Sequence, residues 1–179
     1  MTKTLLLGMS FAAISMFAAD DVVTAVEGTV KKVDSGTKTV VVATADGTEH
    51  TVHVVKNTSV HGWDATEAGA KDGMHGVNEG SHVVVHYTVK GSEKTAQEMD
   101  RVGDGGLKVA KGTVSSIDRG TKVLAVKTAD GAEATYKISE HAAVDAGKET
   151  GKGVEKASKV TVYYTEEGGK KVVHFFKNN

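Results

Sequence analysis

Imidazole is the one reactive side chain that this 179-residue sequence concentrates. Six of its eight histidines, His50, His53, His61, His75, His82 and His86, lie in the first half of the chain, and His141 and His174 lie in the second. Neutral imidazole is the commonest side-chain ligand for ions such as zinc, copper and nickel, so binding of zinc or copper is the first chemistry to consider. Spacing restricts it. His82 and His86 share a strand face, but four residues at about 3.3 Å each set them roughly 13 Å apart, too far for both to reach one ion. A metal site therefore needs one of that pair together with His53, His61 or His75 from other segments. Without such convergence these are polar strand residues facing water.

Other chemistries find less support. The absence of cysteine removes thiolate ligands and nucleophiles, disulfides and a lipid-bearing cysteine. Asp34 and Asp118 stand two residues before Gly36 and Gly120, a spacing that a turn explains without catalysis. No Gly-x-Ser-x-Gly elbow, phosphate loop or dinucleotide fingerprint occurs, so no catalytic residue is assigned and no enzyme is expected. A net charge of −1 argues against a nucleic-acid partner, whose phosphates need clustered lysine and arginine. A small ligand or an envelope protein is the expected partner. Its candidate contacts are Trp63, the only tryptophan, with His61 near it and Tyr163, Phe175 and His174 in the second half. The competing reading puts Tyr87, Tyr164 and Phe176 in the core and Trp63 over a barrel end.

The elements that must position these residues occur twice. Gly28-Thr29-Val30, Asp34, Gly36-Thr37-Lys38 and Thr44-Ala45-Asp46-Gly47 recur 84 residues later as Gly112-Thr113-Val114, Asp118, Gly120-Thr121-Lys122 and Thr128-Ala129-Asp130-Gly131. About fifteen of the thirty-four positions from Glu27 to Val60 match, which marks an internal repeat. Further on, residues 81–88 align with 158–165 at a shift of 77, so the first copy holds about seven extra residues. They are placed at 62–68, around Trp63, in a surface loop suited to carry specificity.

Alternation and β-branched residues predict an all-β chain with five strands per copy. They fall near 22–33, 38–45, 48–56, 81–89 and 93–102, and near 108–117, 122–129, 132–139, 158–165 and 169–177. Asp46-Gly47 and Asp130-Gly131 predict tight hairpins that need positive φ. Val83, Val85 and Tyr87 match Val160, Val162 and Tyr164, and this apolar set is the inward face. His82, Val84 and His86 match Lys159, Thr161 and Tyr163 and point outward, as does His53 opposite Lys137. Val30 and Val33, like Val114 and Ile117, are three apart, which predicts a bulge that curves the first strand.

Three strands, a long glycine-rich connection and a final hairpin is the plan of an OB-type barrel. The chain resembles the bacterial OB-fold proteins of the periplasm and related short secreted β-barrel domains of unknown function. The resemblance rests on Gly28 to Asp34, Lys38 to Gly47, Gly80 to Val85 and Thr95-Ala96, with their counterparts in the second copy. It implies two tandem five- or six-stranded OB-like small β-barrels and a binding or interaction role. At the N-terminus Lys3, the uncharged run Leu5 to Ala19, and then Asp20 and Asp21 predict an export signal. The expected organisation is a signal peptide at 1–19, one barrel at 20–104 and a second at 105–179. The protein would be periplasmic or secreted, with no integral membrane segment after signal removal.

Overall fold

The computed structural model describes residues 23–63, 74, 76–140, 142 and 154–179. The expected export segment, His75, His141 and most of the 62–68 insertion lie outside the described residues. Among the described residues ten strands form: β1 (Val23–Asp34), β2 (Thr39–Ala43), β3 (Glu49–His61), β4 (His82–Lys90), β5 (Glu93–Arg101), β6 (Lys108–Asp118), β7 (Val123–Thr128), β8 (Glu133–Ile138), β9 (Lys159–Glu167) and β10 (Lys170–Asn178). They close two barrels with one strand order, β1-β2-β3-β5-β4 and β6-β7-β8-β10-β9. Neighbours run antiparallel except the closing pairs, β3 with β5 and β8 with β10, which are parallel. This is the five-stranded OB-type plan. No helix among the described residues is long and apolar enough to cross a membrane.

The shared residues of the repeat have local causes. Asp34 Oδ1 accepts hydrogen bonds from the amides of Gly36 and Thr37, both at 3.0 Å, and Asp118 does the same for Gly120 and Thr121. These are Asx turns, so both aspartates are explained by the backbone they hold. In the next hairpin only the glycine of each Asp-Gly pair takes positive φ, 84° at Gly47 and 86° at Gly131. The turn is wider than a two-residue hairpin, because the Thr44 amide bonds to the Thr48 carbonyl and Asp46 accepts from the Thr44 hydroxyl.

The predicted bulge is present in both barrels, between Val30 and Lys32 and between Val114 and Ser116. It bends β1 so that its first half pairs with β4 and its second with β2. Gly28 and Gly112 are where that curved strand lies closest to its neighbour. A Cβ on Gly28 would sit 2.3 Å from the Ala43 carbonyl oxygen, and one on Gly112 would sit 2.5 Å from that of Lys127. The inward set packs as predicted: Val83, Val85 and Tyr87 join Val30, Val52 and Met99 in the first core, and Val160 and Val162 join Val114, Tyr136 and Phe176 in the second.

β3 departs from expectation, continuing to His61 where the sequence pattern ends near residue 56. Its ladder with β5 passes from Val54 opposite Ala96 to Ser59 opposite Glu98, so five residues of β3 run against two of β5. Thr58 anchors the excursion, donating to the Ala96 carbonyl and accepting from the Val55 amide. Pairing then resumes, which makes His61 the ladder partner of Asp100. β8 stops at Ile138 and has no such extension.

The Gly28 contact yields a direct test. Gly28→Ala and Gly112→Ala are each expected to destabilise the protein by about 1–3 kcal/mol, because backbone on the facing strand would have to move. Urea unfolding reads this as a lower midpoint. An unchanged midpoint would mean that β1 and β2 are further apart than described.

Candidate metal centre at the seam between the barrels

The outward face of β4 and β5 is covered by the outward face of β9 and β10. Val84, Leu107, Tyr163 and Phe175 form a buried cluster joining the barrels, with Ala25 and Val102 packed on it. His86 is fully buried, and its ring meets Phe175 edge-on at 6.5 Å between centroids. The outward direction expected for Val84 and His86 is therefore right with respect to their own barrel, but the expected exposure of His86 to water is corrected. The second barrel replaces solvent there. At one edge Lys177 Nζ lies 3.1 Å from Glu27 Oε2, and His82 Nε2 lies 2.7 Å from Glu27 Oε1. Burial pushes the Glu27 carboxyl up, and its bonds to Lys177, Tyr163 and His82 outweigh that and leave it below the usual range.

The seam also holds a polar group. Glu98 and Asp100 are two apart on β5, so both point away from the first core while Met99 between them points in. Glu98 is 7% exposed and Asp100 0%. His61 approaches from the end of β3, its Nδ1 2.8 Å from Asp100 Oδ1 and 3.4 Å from Glu98 Oε1. The ligand atoms of His61, Glu98 and Asp100 all lie within 4.8 Å of one another, and no other group of three or more such donors occurs among the described residues. From the second barrel, His174 Nδ1 is 3.0 Å from Glu98 Oε1 and 3.9 Å from Asp100 Oδ2. His174 sits where the β9–β10 register jumps from Val173 to Phe175, a bulge that turns its ring into the seam.

Charge explains the protonation of this group. The hydrogen bond to Asp100, then that to Glu98, raises the His61 pKa from 6.5 to about 10 against some loss from burial. Burial lowers the pKa of His174, but the Glu98 hydrogen bond and the charges of Asp100 and Glu98 outweigh it and leave it raised. Two buried carboxylates and the buried His174 ring thus meet at the seam, with the half-exposed His61 ring at its mouth. Asp100 Oδ2 is buried there with no hydrogen-bond partner among the described residues.

Of the four described histidines among the five expected as metal ligands, His61 alone joins this group. His53 is half-buried on β3 opposite Thr39 and Thr95. His82 is paired with Glu27, and His86 packs against Phe175. His75 lies outside the described residues. Tyr163 and Phe175, expected as ligand contacts, are instead buried in the cluster that joins the barrels, where apolar packing uses their rings. Trp63 packs on the first core and against Gly76. Glu98 and Asp100 were not singled out by the sequence pattern. The available signal was a pair of acids at i and i+2 where the second copy has Phe175 and Lys177.

No family model and no curated protein sequence matches the chain. Solved structures similar to it include silver-bound CusF, "Crystal structure of Ag(I)CusF", at 15% identity and a TM-score of 0.32 over 44% of this chain and 96% of that one. Apo-CusF from Escherichia coli gives 16% identity and a TM-score of 0.34 over 49% of this chain and 95% of that one. Drosophila Unr CSD456 gives 11% identity and a TM-score of 0.35 over 89% of this chain and 62% of that one. At these scores the likeness bears on neither ligand nor site.

The metal-free protein is expected to keep His61 charged well above neutral pH. Since its folded pKa is raised, the stability it contributes is complete below 6.5 and is lost as pH climbs through about 10. The ring is half exposed, so solvent weakens the effect. Histidine-resolved NMR titration checks this, and a His61 ring that loses its proton near 6.5 would remove the carboxylate contacts from the account.

Proposed function

We propose that this is an exported, non-enzymatic binding protein whose ligand is a divalent transition-metal ion held at the seam between its barrels. The observation that carries the reading is the convergence of His61, Glu98 and Asp100, with Asp100 fully buried. In the metal-free protein His61 and His174 compensate the two acids, and a dication takes over that role by displacing their protons. Imidazole with carboxylate suits zinc, divalent copper or nickel, and the thiolate and thioether donors preferred by monovalent copper are not part of the group. Export rests on the N-terminal pattern of Lys3, Leu5 to Ala19 and Asp20-Asp21. Net charge near zero continues to weigh against nucleic acid.

Zinc titration of chelator-treated protein, followed by calorimetry, tests the reading. One saturable site is expected, with proton release because the imidazoles give up their protons to the ion. His61→Gln should weaken binding roughly tenfold or more, about 1.4 kcal/mol. His53→Ala and His82→Ala should leave it unchanged. Binding that survives His61→Gln and falls with His82→Ala would place the ion elsewhere.

A further inference from the structure

We propose that His174 is the fourth ligand of this centre, so that the site is completed only across the seam and ion capture fastens the second barrel to the first. The inference rests on the metal reading above and adds to it a residue from the other copy. Four donors about 2.0–2.1 Å from one ion at tetrahedral angles lie about 3.3 Å from each other. The contacts around the group run 2.8 Å from His61 to Asp100, 3.4 Å from His61 to Glu98, 3.0 Å from Glu98 to His174 and 3.9 Å from His174 to Asp100. Imidazole and carboxylate alternate around the group, and Asp100 meets the two histidines with different oxygens, Oδ1 for His61 and Oδ2 for His174. His174 stands outside the 4.8 Å set of His61, Glu98 and Asp100, so closing the group on a zinc-sized ion takes an inward shift of the half-exposed His61 ring and of His174.

The outer contacts of His174 point the same way. Its Nε2 is 3.0 Å from Thr165 Oγ1, and the Thr165 hydroxyl donates to Glu167 Oε1 at 2.9 Å. With its proton committed to Glu167, Thr165 oxygen is left to accept from Nε2–H of the ring. In the metal-free protein Nδ1–H donates to Glu98, and with Nε2–H held by Thr165 the proton that an ion would displace is the one on Nδ1, the atom facing Glu98 and Asp100. A ligating histidine characteristically donates its other ring N–H to an acceptor that orients it. Here Thr165 fills that role, backed by Glu167. His174 is only 8% exposed, and the bulge at its position aims the ring inward. The four donors come from β3, β5 and β10, so one ion would tie both barrels.

The test is zinc binding by the full chain and by His174→Gln and Thr165→Val, with nitrogen-15 NMR of the histidine rings and hydrogen exchange of the β5 and β10 amides. Expected are metal-bound Nδ1 signals for both His61 and His174 in the wild type, and slower exchange in both strands on adding zinc. His174→Gln should bind roughly tenfold more weakly or worse, and lose the added protection of β10. Thr165→Val, which keeps the ligand itself, should show a smaller loss. A wild type that binds zinc with His61 signals shifted and His174 unmoved overturns the inference and leaves the three-residue site standing. Equal affinity of the wild type and His174→Gln does the same. A wild type that binds no zinc overturns both.

Discussion

Two carboxylates in a nearly dry seam, Glu98 and Asp100, set the condition that the surrounding residues meet. Moving such groups out of water costs several kcal/mol each unless opposite charge and hydrogen bonds compensate. Packing β4 and β5 against β9 and β10 gains from burying Val84, Leu107, Tyr163 and Phe175. That gain would be offset if the acids on the same face were left unpaired. His61 and His174 supply the compensation from opposite sides. Lysine is used at the edge, where Lys177 meets Glu27 with access to water. Imidazole differs from ammonium in a way that matters here, because its proton is readily exchanged for a metal ion.

Duplication made this arrangement available and divergence gave it chemistry. What the copies share, Gly28 and Gly112, the Asx turns of Asp34 and Asp118, and the bulges in β1 and β6, serves the closure of each barrel. What they do not share lies at the seam. Glu98 and Asp100 in β5 answer to Phe175 and Lys177 in β10, and His61 exists as a strand residue because β3 runs on where β8 stops. Two similar surfaces thus meet with unlike side chains. The six residues joining the barrels fold tightly, with Leu107 bonded back to Arg101 and a Cβ on Gly106 placed 2.0 Å from the Arg101 carbonyl oxygen. A connection that short keeps the two faces near each other.

Much of the barrel architecture was legible because it follows from local rules. Alternation located the strands and chose the inward faces of β4 and β9, and the three-residue spacing of Val30 and Val33 marked the bulge. The site was only half legible. His61 stood out by residue type, but the other histidines near it in sequence face different surroundings, Glu27 for His82 and Phe175 for His86. Outward-facing positions look alike in sequence whether water or another barrel covers them, which is why Tyr163 and Phe175 read as available contacts and proved to be seam packing.

Two all-β units, the places of their turns, their bulges and their inner faces are written in the sequence, since each depends on residues close in the chain or on alternation along one strand. Tertiary structure decided which outward side chains meet, within a barrel and across the seam. The excursion at residues 55–58 brought His61 beside Asp100, and the docking of β10 brought His174 beside Glu98 across 76 residues of chain. No periodicity records such a meeting, because the partner of an outward side chain is chosen by how two finished surfaces pack.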